Sequence, residues 1–346
     1  MIIIRADSPD FTKYWKILWE EDVFQHPYYL PWTQAWFKEF NPSGKQVKDL
    51  SFIIVEDDSP LVGLLMTLQK NLNNEYTLSC GSKPILFLKS TSLSTSMRGI
   101  NKALKKELDK ILHNHIIHTI IYWDHLENNS LSFFGKYLMS MGASCTPYFT
   151  QIIDLSLAED QLHQNLRKSF KSLINWGKKN LDIYLIDSNS ITMKDIERFR
   201  MLHFDAAGRQ TRSKKSWEMQ YDIVQKKEAF ILFGEIDHQL VTGIFMFMSG
   251  RFCYYGISAS IRALFDKPMA HALIWESIIH AKKDGCLFYE LGEQVYPMQA
   301  NRVSYQIYDD LLTIPVPQKK ELDISMFKQG FGGMTKARLD IRWQNK

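Results

Sequence analysis

The chain has 346 residues. A single hydrophobic core seldom organises a chain of this length, so we predict two domains. A composition of 45% hydrophobic and 23% charged residues is typical of a globular protein and excludes a disordered or collagen-like chain. The net charge of only +4 excludes the overall basicity of a dedicated nucleic-acid-binding protein, so any basic function must come from local clusters.

The first residues, "MIIIRADSPDF", place three isoleucines before charged side chains. This pattern is not the apolar core of a secretion signal and favours an edge strand. The longest apolar runs, such as residues 240–248, reach about half the length that spans a bilayer. We therefore expect a cytoplasmic protein, with contact at the inner membrane surface as the alternative. The four cysteines lack metal-ligand spacing and are expected to be buried free thiols; they are Cys80, Cys145, Cys253 and Cys286.

Two segments, 51–70 and 229–250, share one pattern: an apolar strand, an acidic turn, a Leu-Val step with a glycine, and a second apolar strand. Both are predicted to be β-hairpins. In each half the hairpin is followed by a helix, a buried strand, a second helix, a glycine and a closing strand, which predicts two similar mixed sheets. The first helix and the buried strand of each half are predicted at 98–113, 117–123, 267–285 and 286–292.

A helix is predicted over residues 157–180, between the two halves. One face of this helix is apolar and includes Leu162, Leu166, Phe170 and Leu173. The other face is basic and consists of Arg167, Lys168, Lys171, Lys178 and Lys179. The predicted domains are residues 1–155 and 156–346, with this helix as the entry to the second.

Two stretches of the second half resemble a known family. "HALIWESIIHAKKDGCLFYELGE" (271–293) is similar to a helix-plus-strand pattern of the FemAB family, and "ISMFKQGFGG" (324–333) is similar to its C-terminal Phe-Lys, Phe-Gly signature. "FQHPYYLPWTQAW" (24–36) resembles the family's early aromatic segment. These proteins are the non-ribosomal peptidyltransferases of peptidoglycan bridge synthesis and their acyltransferase relatives. The resemblance implies an α/β (α+β) fold of two tandem GNAT-like domains, each a mixed, mostly antiparallel sheet flanked by helices.

The sequence departs from the family pattern at two points. Glu290-Leu291-Gly292-Glu293 stands where the family often has an aspartate and a pair of glycines. There is also no long helical arm of the kind that some members carry. The shorter family members are therefore the better comparison.

Lys328 is the first candidate site residue. The resemblance implies that it lies in the substrate cleft and holds a phosphate or the developing oxyanion. Acyl transfer to an amine passes through a tetrahedral oxyanion, and a fixed positive donor there lowers the barrier by a few kcal/mol. Phe327 and Phe331 are expected to shield the ammonium, and the glycines that follow are expected to admit a ligand close to the backbone; these are Gly330, Gly332 and Gly333. The alternative is a solvated helix lysine with glycine caps.

The basic segment 202–221 is the second candidate. Arginine forks suit diphosphates or carboxylates, and the resemblance implies that the segment helps to bind the acceptor. The alternative is a solvated basic loop. The candidate substrate-binding residues of this segment are Arg209, Arg212, Trp217 and Tyr221.

Further candidates lie on the strands and the helix of the resembling region. Tyr254 and Tyr255 are expected on the central strand, where alternation turns one of them away from the cleft. His271 is a candidate for substrate binding, with a structural role as its alternative. A general base must take the proton of the attacking amine, and Glu290 or Glu293 at the strand end is the candidate for it. No metal site and no covalent nucleophile are predicted, so the amine attacks the donor directly.

The expected function is transfer of an acyl or aminoacyl group to an amine of a cell-envelope precursor, a nucleotide- or lipid-linked sugar or peptide. The donor substrate is acyl-CoA or aminoacyl-tRNA, with no permanently bound cofactor and no contact with DNA. One alternative is a GNAT-type N-acetyltransferase that uses acyl-CoA on a surface-polysaccharide sugar, although the glycine-rich cofactor pattern is absent. The other is a non-catalytic protein that binds RNA or anionic lipid through its basic face.

Overall fold

The computed structural model describes residues 1–23, 25–39, 44–71, 74–91, 96–126, 130–296 and 318–345. The chain forms two compact units: the first contains residues 1–25, 34–147 and 338–346, and the second contains residues 26–33 and 148–337. The boundary expected at residue 155 stays a prediction about independently folding domains, because compactness alone does not test independent folding.

The first unit has two sheets. One has the order β1-β3-β4-β7 with every pair antiparallel, and the other has the order β8-β6-β5-β2, with residues 339–344 antiparallel to β8. The edge strand predicted from the first residues is confirmed as β1. The elements are β1 (Ile2–Arg5), α1 (Phe11–Glu21), α2 (Pro31–Glu39), β2 (Gly44–Asp49), β3 (Phe52–Glu56), β4 (Ser59–Leu65), β5 (Thr67–Asn71), β6 (Tyr76–Ser79), β7 (Leu86–Lys89), α3 (Met97–Asn114), β8 (Thr119–Asp124) and α4 (Phe133–Ser140).

The second unit has one run of strands in the order β10-β11-β12-β13-β14-β9. All pairs are antiparallel except β13 with β14. The elements are β9 (Ser144–Asp154), α5 (Glu159–Gln164), α6 (Lys168–Asn180), β10 (Asp182–Ile186), α7 (Met193–Ala207), α8 (Lys214–Gln225), β11 (Ala229–Ile236), β12 (Gln239–Met248), β13 (Phe252–Ser260), α9 (Met269–Lys283), β14 (Phe288–Gln294), α10 (Lys319–Gln329) and β15 (Met334–Gln344). Of β9 and β15, only the residues from 148 onward and up to 337, respectively, belong to this unit.

The two predicted hairpins are confirmed and match in detail. Each turns at two residues with positive φ, Asp57 and Asp58 in the first unit and Asp237 and His238 in the second. Positive φ at both central residues is the geometry that matches the twist of paired strands. In each hairpin the register of the two strands also shifts just before the last two residue pairs. Both units are therefore mixed, mostly antiparallel α/β structures of the predicted class.

The predicted order of elements is wrong at one point in each half, because strands lie between the hairpin and the helix: β5, β6 and β7 in the first unit and β13 in the second. The layout of the sheets also differs between the units. In the first unit β4 ends at Leu65 and β5 begins at Thr67, so the chain passes from one sheet to the other at Met66. The Ser51 hydroxyl accepts the N–H of Met66 at 3.0 Å, and the Leu50 N–H donates to the carbonyl of Met66 at 3.0 Å. These bonds satisfy the backbone where the ladder is interrupted.

The continuous helix predicted over 157–180 is wrong, because the chain breaks between α5 and α6. At the break the Arg167 N–H donates to the carbonyl of Gly330 at 2.9 Å, and its guanidinium donates to the carbonyl of Met326 at 2.7 Å. Arg167 has a non-helical ψ of 135°. A tertiary acceptor thus replaces the carbonyl that would have continued the helix.

The prediction of buried free thiols is correct for three cysteines and wrong for Cys145, which is an exposed free thiol on β9. Among the residues that the structure describes, no helix is long and apolar enough to cross a bilayer.

Candidate active site

The parallel strands β13 and β14 of the second unit diverge after a short paired stretch. They pair at three positions, of which Tyr254 with Glu290 is the last. Beyond this pair β13 continues to Ser260 and β14 to Gln294, with register shifts against their outer neighbours at Phe245/Met246 and at Glu290/Gly292. Bulges of this kind bend strands and are frequent next to active sites. A gap therefore opens between the two strands at Tyr254 and Glu290.

Lys328 places its ammonium at this gap. Its Nζ donates to the backbone carbonyl of Glu293 at 3.0 Å. Burial lowers the pKa of Lys328 from 10.5 to about 8, and the negative charge of Glu290 opposes that shift. Its ammonium is therefore held partly dehydrated beside the end of β14.

Gly292 is buried between Lys328 and Tyr254. Its φ is +83°, and a Cβ at this position would lie 3.5 Å from Lys328 Nζ and 3.9 Å from Tyr254 Cε2. Glycine adopts this backbone conformation without the penalty that a side chain would incur. The ammonium of Lys328 and the phenol ring of Tyr254 thus lie on either side of this glycine, and the positive φ lets β14 pass between them without a side chain.

Glu290 is 1% exposed, and its carboxylate is hydrogen-bonded to the side chains of Thr150 and His26. The Thr150 hydroxyl donates to Oε1 at 2.7 Å, and His26 Nε2 lies 3.2 Å from Oε2. The other ring nitrogen, Nδ1, accepts the backbone N–H of Tyr28 at 3.2 Å. The proton of the neutral ring therefore sits on Nε2, which donates to the carboxylate.

Tyr28 extends the site on the same side as Glu290. Its ring meets that of Tyr254 edge-on, with centroids 5.1 Å apart. Burial, together with Tyr254, Glu290 and Tyr148, raises the pKa of Tyr28 well above its ordinary value. The phenol therefore stays protonated.

Three of these residues, His26, Tyr28 and Thr150, were not proposed from the sequence. The only signal was the aromatic stretch around His26, which matched the family's early segment without implying a role.

Phe327 and Phe331 lie in an aromatic cluster with Phe170 and His271. Their rings meet one another edge-on at 5.3 Å, and the Phe170 ring lies 5.1 Å from Phe331 and 4.6 Å from His271. The cluster belongs to the apolar core formed with α6 and α9. The structure therefore gives these phenylalanines packing partners, and their role in shielding Lys328 stays a prediction. Burial lowers the pKa of His271, so this imidazole is neutral.

The expectation that the glycines after Lys328 admit a ligand is wrong, because protein atoms fill the space beside them. A Cβ on Gly330 would lie 2.2 Å from the Phe170 ring, and one on Gly333 would lie 2.4 Å from the carbonyl oxygen of Ile152. Gly332 and Gly333 have φ of +83° and +80°. These glycines allow the chain to turn tightly against its own core.

Of the predicted basic segment, Arg209 is exposed and Arg212 is largely buried. The Arg212 guanidinium lies 5.3 Å from the Trp217 ring and 3.3 Å from His203 Nε2. Burial lowers the pKa of Arg212 to about 10 and, with Arg212 itself, that of His203 to about 4. Trp217 is 3% exposed, which favours a packing role.

The segment is placed near the turn that leads into α9. Arg262, in that turn, donates from Nε to the carbonyl of Ala206 at 2.7 Å. Tyr221 is partly buried on α8.

Tyr254 and Tyr255 lie on opposite faces of β13. The Tyr254 ring contacts His26 and Tyr28, with centroids 5.8 Å and 5.1 Å away. Tyr255 packs against the core beneath α9. Tyr254 is therefore the tyrosine of this pair that belongs to the candidate site.

No protein-family model and no curated protein matches the chain. Solved structures do match over nearly its whole length. FemX has a TM-score of 0.59 at 13% identity, over 89% of this chain and 94% of its own. L-PGS from Bacillus licheniformis has a TM-score of 0.58 at 9% identity, over 100% of this chain and 94% of its own. A tandem GNAT protein from the clavulanic acid biosynthesis pathway, solved without AcCoA, has a TM-score of 0.54 at 11% identity, over 99% of this chain and 97% of its own.

These likenesses define the class of fold. The chain has the FemAB-like tandem GNAT fold that the closing motifs predicted. At such low identity they carry no residue-level role to this chain, and function must be argued from its own site.

Proposed function

We propose that this protein transfers an acyl or aminoacyl group to an amine of a cell-envelope precursor. The observation that carries the proposal is the position of the Lys328 ammonium, 3.0 Å from the carbonyl of Glu293 and next to Gly292, where β13 and β14 diverge. A partly dehydrated cation held at the end of a strand is suited to stabilise negative charge that develops on a substrate oxygen.

In the proposed reaction the acceptor amine attacks the carbonyl carbon of a donor ester or thioester. A C–N bond forms, and the carbonyl oxygen takes up negative charge in the tetrahedral intermediate. Lys328 would donate a hydrogen bond to that oxygen. The C–O or C–S bond to the leaving group then breaks, and the amine loses a proton. No covalent intermediate with the enzyme is needed.

Glu290 supports the amine in this scheme. Its carboxylate is buried and accepts hydrogen bonds from Thr150 and His26. We assign it to the attraction of the incoming ammonium and to removal of its proton. Glu293 is the rival base, since its partly exposed side chain also lies at the end of β14.

Two classes of donor substrate are consistent with the resemblance and the structural neighbours. The motifs that resemble the FemAB family support transfer to an envelope precursor, whereas the likeness to the tandem GNAT protein supports acyl-CoA as the donor. We propose aminoacyl-tRNA or acyl-CoA as the donor and a nucleotide- or lipid-linked sugar or peptide as the acceptor.

To test this proposal, the purified protein is incubated in parallel reactions with labelled aminoacyl-tRNAs or with labelled acyl-CoA. Each reaction also contains a nucleotide-linked or a lipid-linked amine acceptor. Mass spectrometry should find an acceptor heavier by one acyl or aminoacyl group with one donor class. Small molecules that copurify with the protein indicate which acceptors to try first. Steeply salt-dependent binding to RNA or anionic vesicles without any transfer would instead support a non-catalytic protein.

A separate prediction concerns acceptor binding by Arg209. Arg209→Gln is expected to raise the KM for a phosphate-bearing acceptor about tenfold or more while leaving the donor KM nearly unchanged, because a charge-assisted hydrogen bond is worth about 1.5–3 kcal/mol. Steady-state kinetics with each substrate varied in turn provides the measurement. Arg212→Gln is the companion variant, because the Arg212 guanidinium lies in the same segment, 5.3 Å from the Trp217 ring.

Lys214→Gln is the matched control for Arg209, since Lys214 is an exposed cation of the same segment, paired with Glu218. Equal changes in both KM values, or the same change in the control, would rule out a specific role of Arg209.

A further inference from the structure

The second unit contains a short segment, residues 26–33, that comes from far away in the sequence. Both ends of this 26–33 segment are held by buried carboxylates of the unit. At one end His26 donates to Glu290, and at the other Thr33 donates to Glu228. Between these ends lies Tyr28, which contacts Tyr254. The segment therefore connects Glu228 to the candidate active site.

Glu228 is a well-anchored acceptor for the start of α2. Its Oε2 accepts the Thr33 N–H at 2.8 Å and the Thr33 hydroxyl at 2.9 Å, and its Oε1 lies 3.4 Å from the N–H of Trp32. These N–H groups belong to the first turn of a helix, where no intrahelical acceptor exists. The carboxylate therefore caps α2 from a separate element, and its charge suits a helix N-terminus.

The backbone of Glu228 is fixed in turn. Its N–H donates to the carbonyl of Ile223 at 3.0 Å, and its own carbonyl accepts the N–H of Met248 at 2.7 Å. Glu228 is 7% exposed. Burial raises its pKa, and the Thr33 and Trp32 donors oppose that shift. Burial of the Glu228 carboxylate without the Thr33 and Trp32 donors would make folding less favourable.

The 26–33 segment has little internal freedom with which to absorb a displacement. Pro27 and Pro31 restrict φ at two of its positions, and Pro27–Tyr29 forms a 3₁₀ turn. Tyr28 and Tyr29 are each 6% exposed. A shift at Thr33 is therefore transmitted along the chain to His26 and Tyr28.

We infer that Glu228 is a positioning residue: through Thr33 it holds the 26–33 segment so that His26 and Tyr28 stay against Glu290 and Tyr254. Its effect on catalysis rests on the proposed function, whereas its effect on the segment does not. Within the part of the chain that the structure describes, the hydrogen bonds of the Glu228 carboxylate go to Trp32 and Thr33, so it acts on the Lys328 gap through the segment.

Glu228→Gln tests the inference with two readouts that need no substrate. Amide hydrogen exchange within residues 26–33 should become at least tenfold faster, because an amide group cannot accept the three bonds equally well. The pKa of Lys328, followed by competitive acylation of lysines across pH, should move up from about 8 towards 10.5 as water reaches the loosened site. A role confined to the local stability of α2 would leave that pKa unchanged.

Glu235→Gln is the matched control. Glu235 is also a partly buried carboxylate of the second unit, and it accepts from Tyr184 at 2.5 Å and from Arg198. This variant should leave exchange in residues 26–33 and the Lys328 pKa unaltered. If Glu228→Gln fails to fold, Thr33→Val removes one of the three bonds and Thr33→Ser should restore it, with the same readouts.

The outcomes separate this inference from the proposed function. Unchanged exchange and an unchanged Lys328 pKa in Glu228→Gln or Thr33→Val would overturn the positioning role, whatever the wild-type enzyme catalyses. If both readouts respond but the wild-type protein transfers no acyl group, the positioning role stands and the proposed function fails. With an active enzyme, Glu228→Gln should lower kcat about tenfold or more with little change in the donor KM.

Discussion

Lys328→Met is expected to lower kcat by about 10²–10³, the scale of losing one oxyanion donor. Methionine retains most of the apolar stem of lysine and deletes only the charge. The loss should appear in kcat rather than in KM, because the charge acts on an oxygen that becomes negative only in the transition state. Lys328→Arg should restore activity only in part, since a planar fork does not occupy the place of a compact ammonium.

The same variant should be more stable than the wild type at neutral pH. The pKa of Lys328 is lowered in the folded state from 10.5 to about 8, so below pH 8 folding must bury an ammonium that prefers water. Removing it should raise the free energy of unfolding on the order of 2 kcal/mol at pH 7. The gain should shrink as pH rises from 8 and vanish near 10.5, where the lysine is neutral in both states. Urea unfolding at pH 7 and pH 10 measures the difference.

Lys320→Met is the matched control, because Lys320 is an exposed lysine of the same helix. It should change neither kcat nor the pH dependence of stability. An unchanged kcat in Lys328→Met, or a variant that unfolds, would show that Lys328 is structural.

Glu290→Gln should lower kcat/KM by about 10²–10⁴, the range that general-base catalysis contributes. Glutamine preserves the shape of the side chain between Thr150 and His26 but cannot take a proton. Glu290→Gln should also alter the pKa of Lys328, which can be measured without substrate. Because the charge of Glu290 raises the pKa of Lys328, its removal should take that pKa further below 8, which competitive labelling of the lysine can follow.

Glu293→Gln decides between the two candidate bases. If it causes the larger loss of kcat/KM, the assignment of the base to Glu290 is wrong. If Glu290→Gln leaves the pKa of Lys328 unchanged, the two groups do not interact and the electrostatic account of the site fails as well.

Local chemistry made much of the second unit predictable. The hairpin tips were recognisable because short polar residues such as Asp57 and Asp237 tolerate positive φ and interrupt apolar strands. The α9 helix and the β14 strand were predicted within two residues of their observed ends, since an apolar helical pattern with a closing glycine is a local signal. Lys328 was singled out by its motif, and in the structure its Nζ lies 3.0 Å from the carbonyl oxygen of Glu293.

Long-range contacts decided the rest. The break before Arg167 depends on the carbonyl of Gly330, and the roles of the closing glycines depend on Phe170 and Ile152. None of these partners can be read from the neighbouring sequence, because which carbonyl or ring fills a given space is settled only when distant segments pack.

By itself the sequence determined the two hairpins, the α9 helix with the β14 strand and the motif that carries Lys328, because these depend on residues within one or two turns of each other. Only the tertiary structure brought His26 and Thr150 to Glu290, across 264 and 140 residues of chain, and Thr33 to Glu228. A buried carboxylate needs donors, but its local sequence does not say from which part of the chain they come.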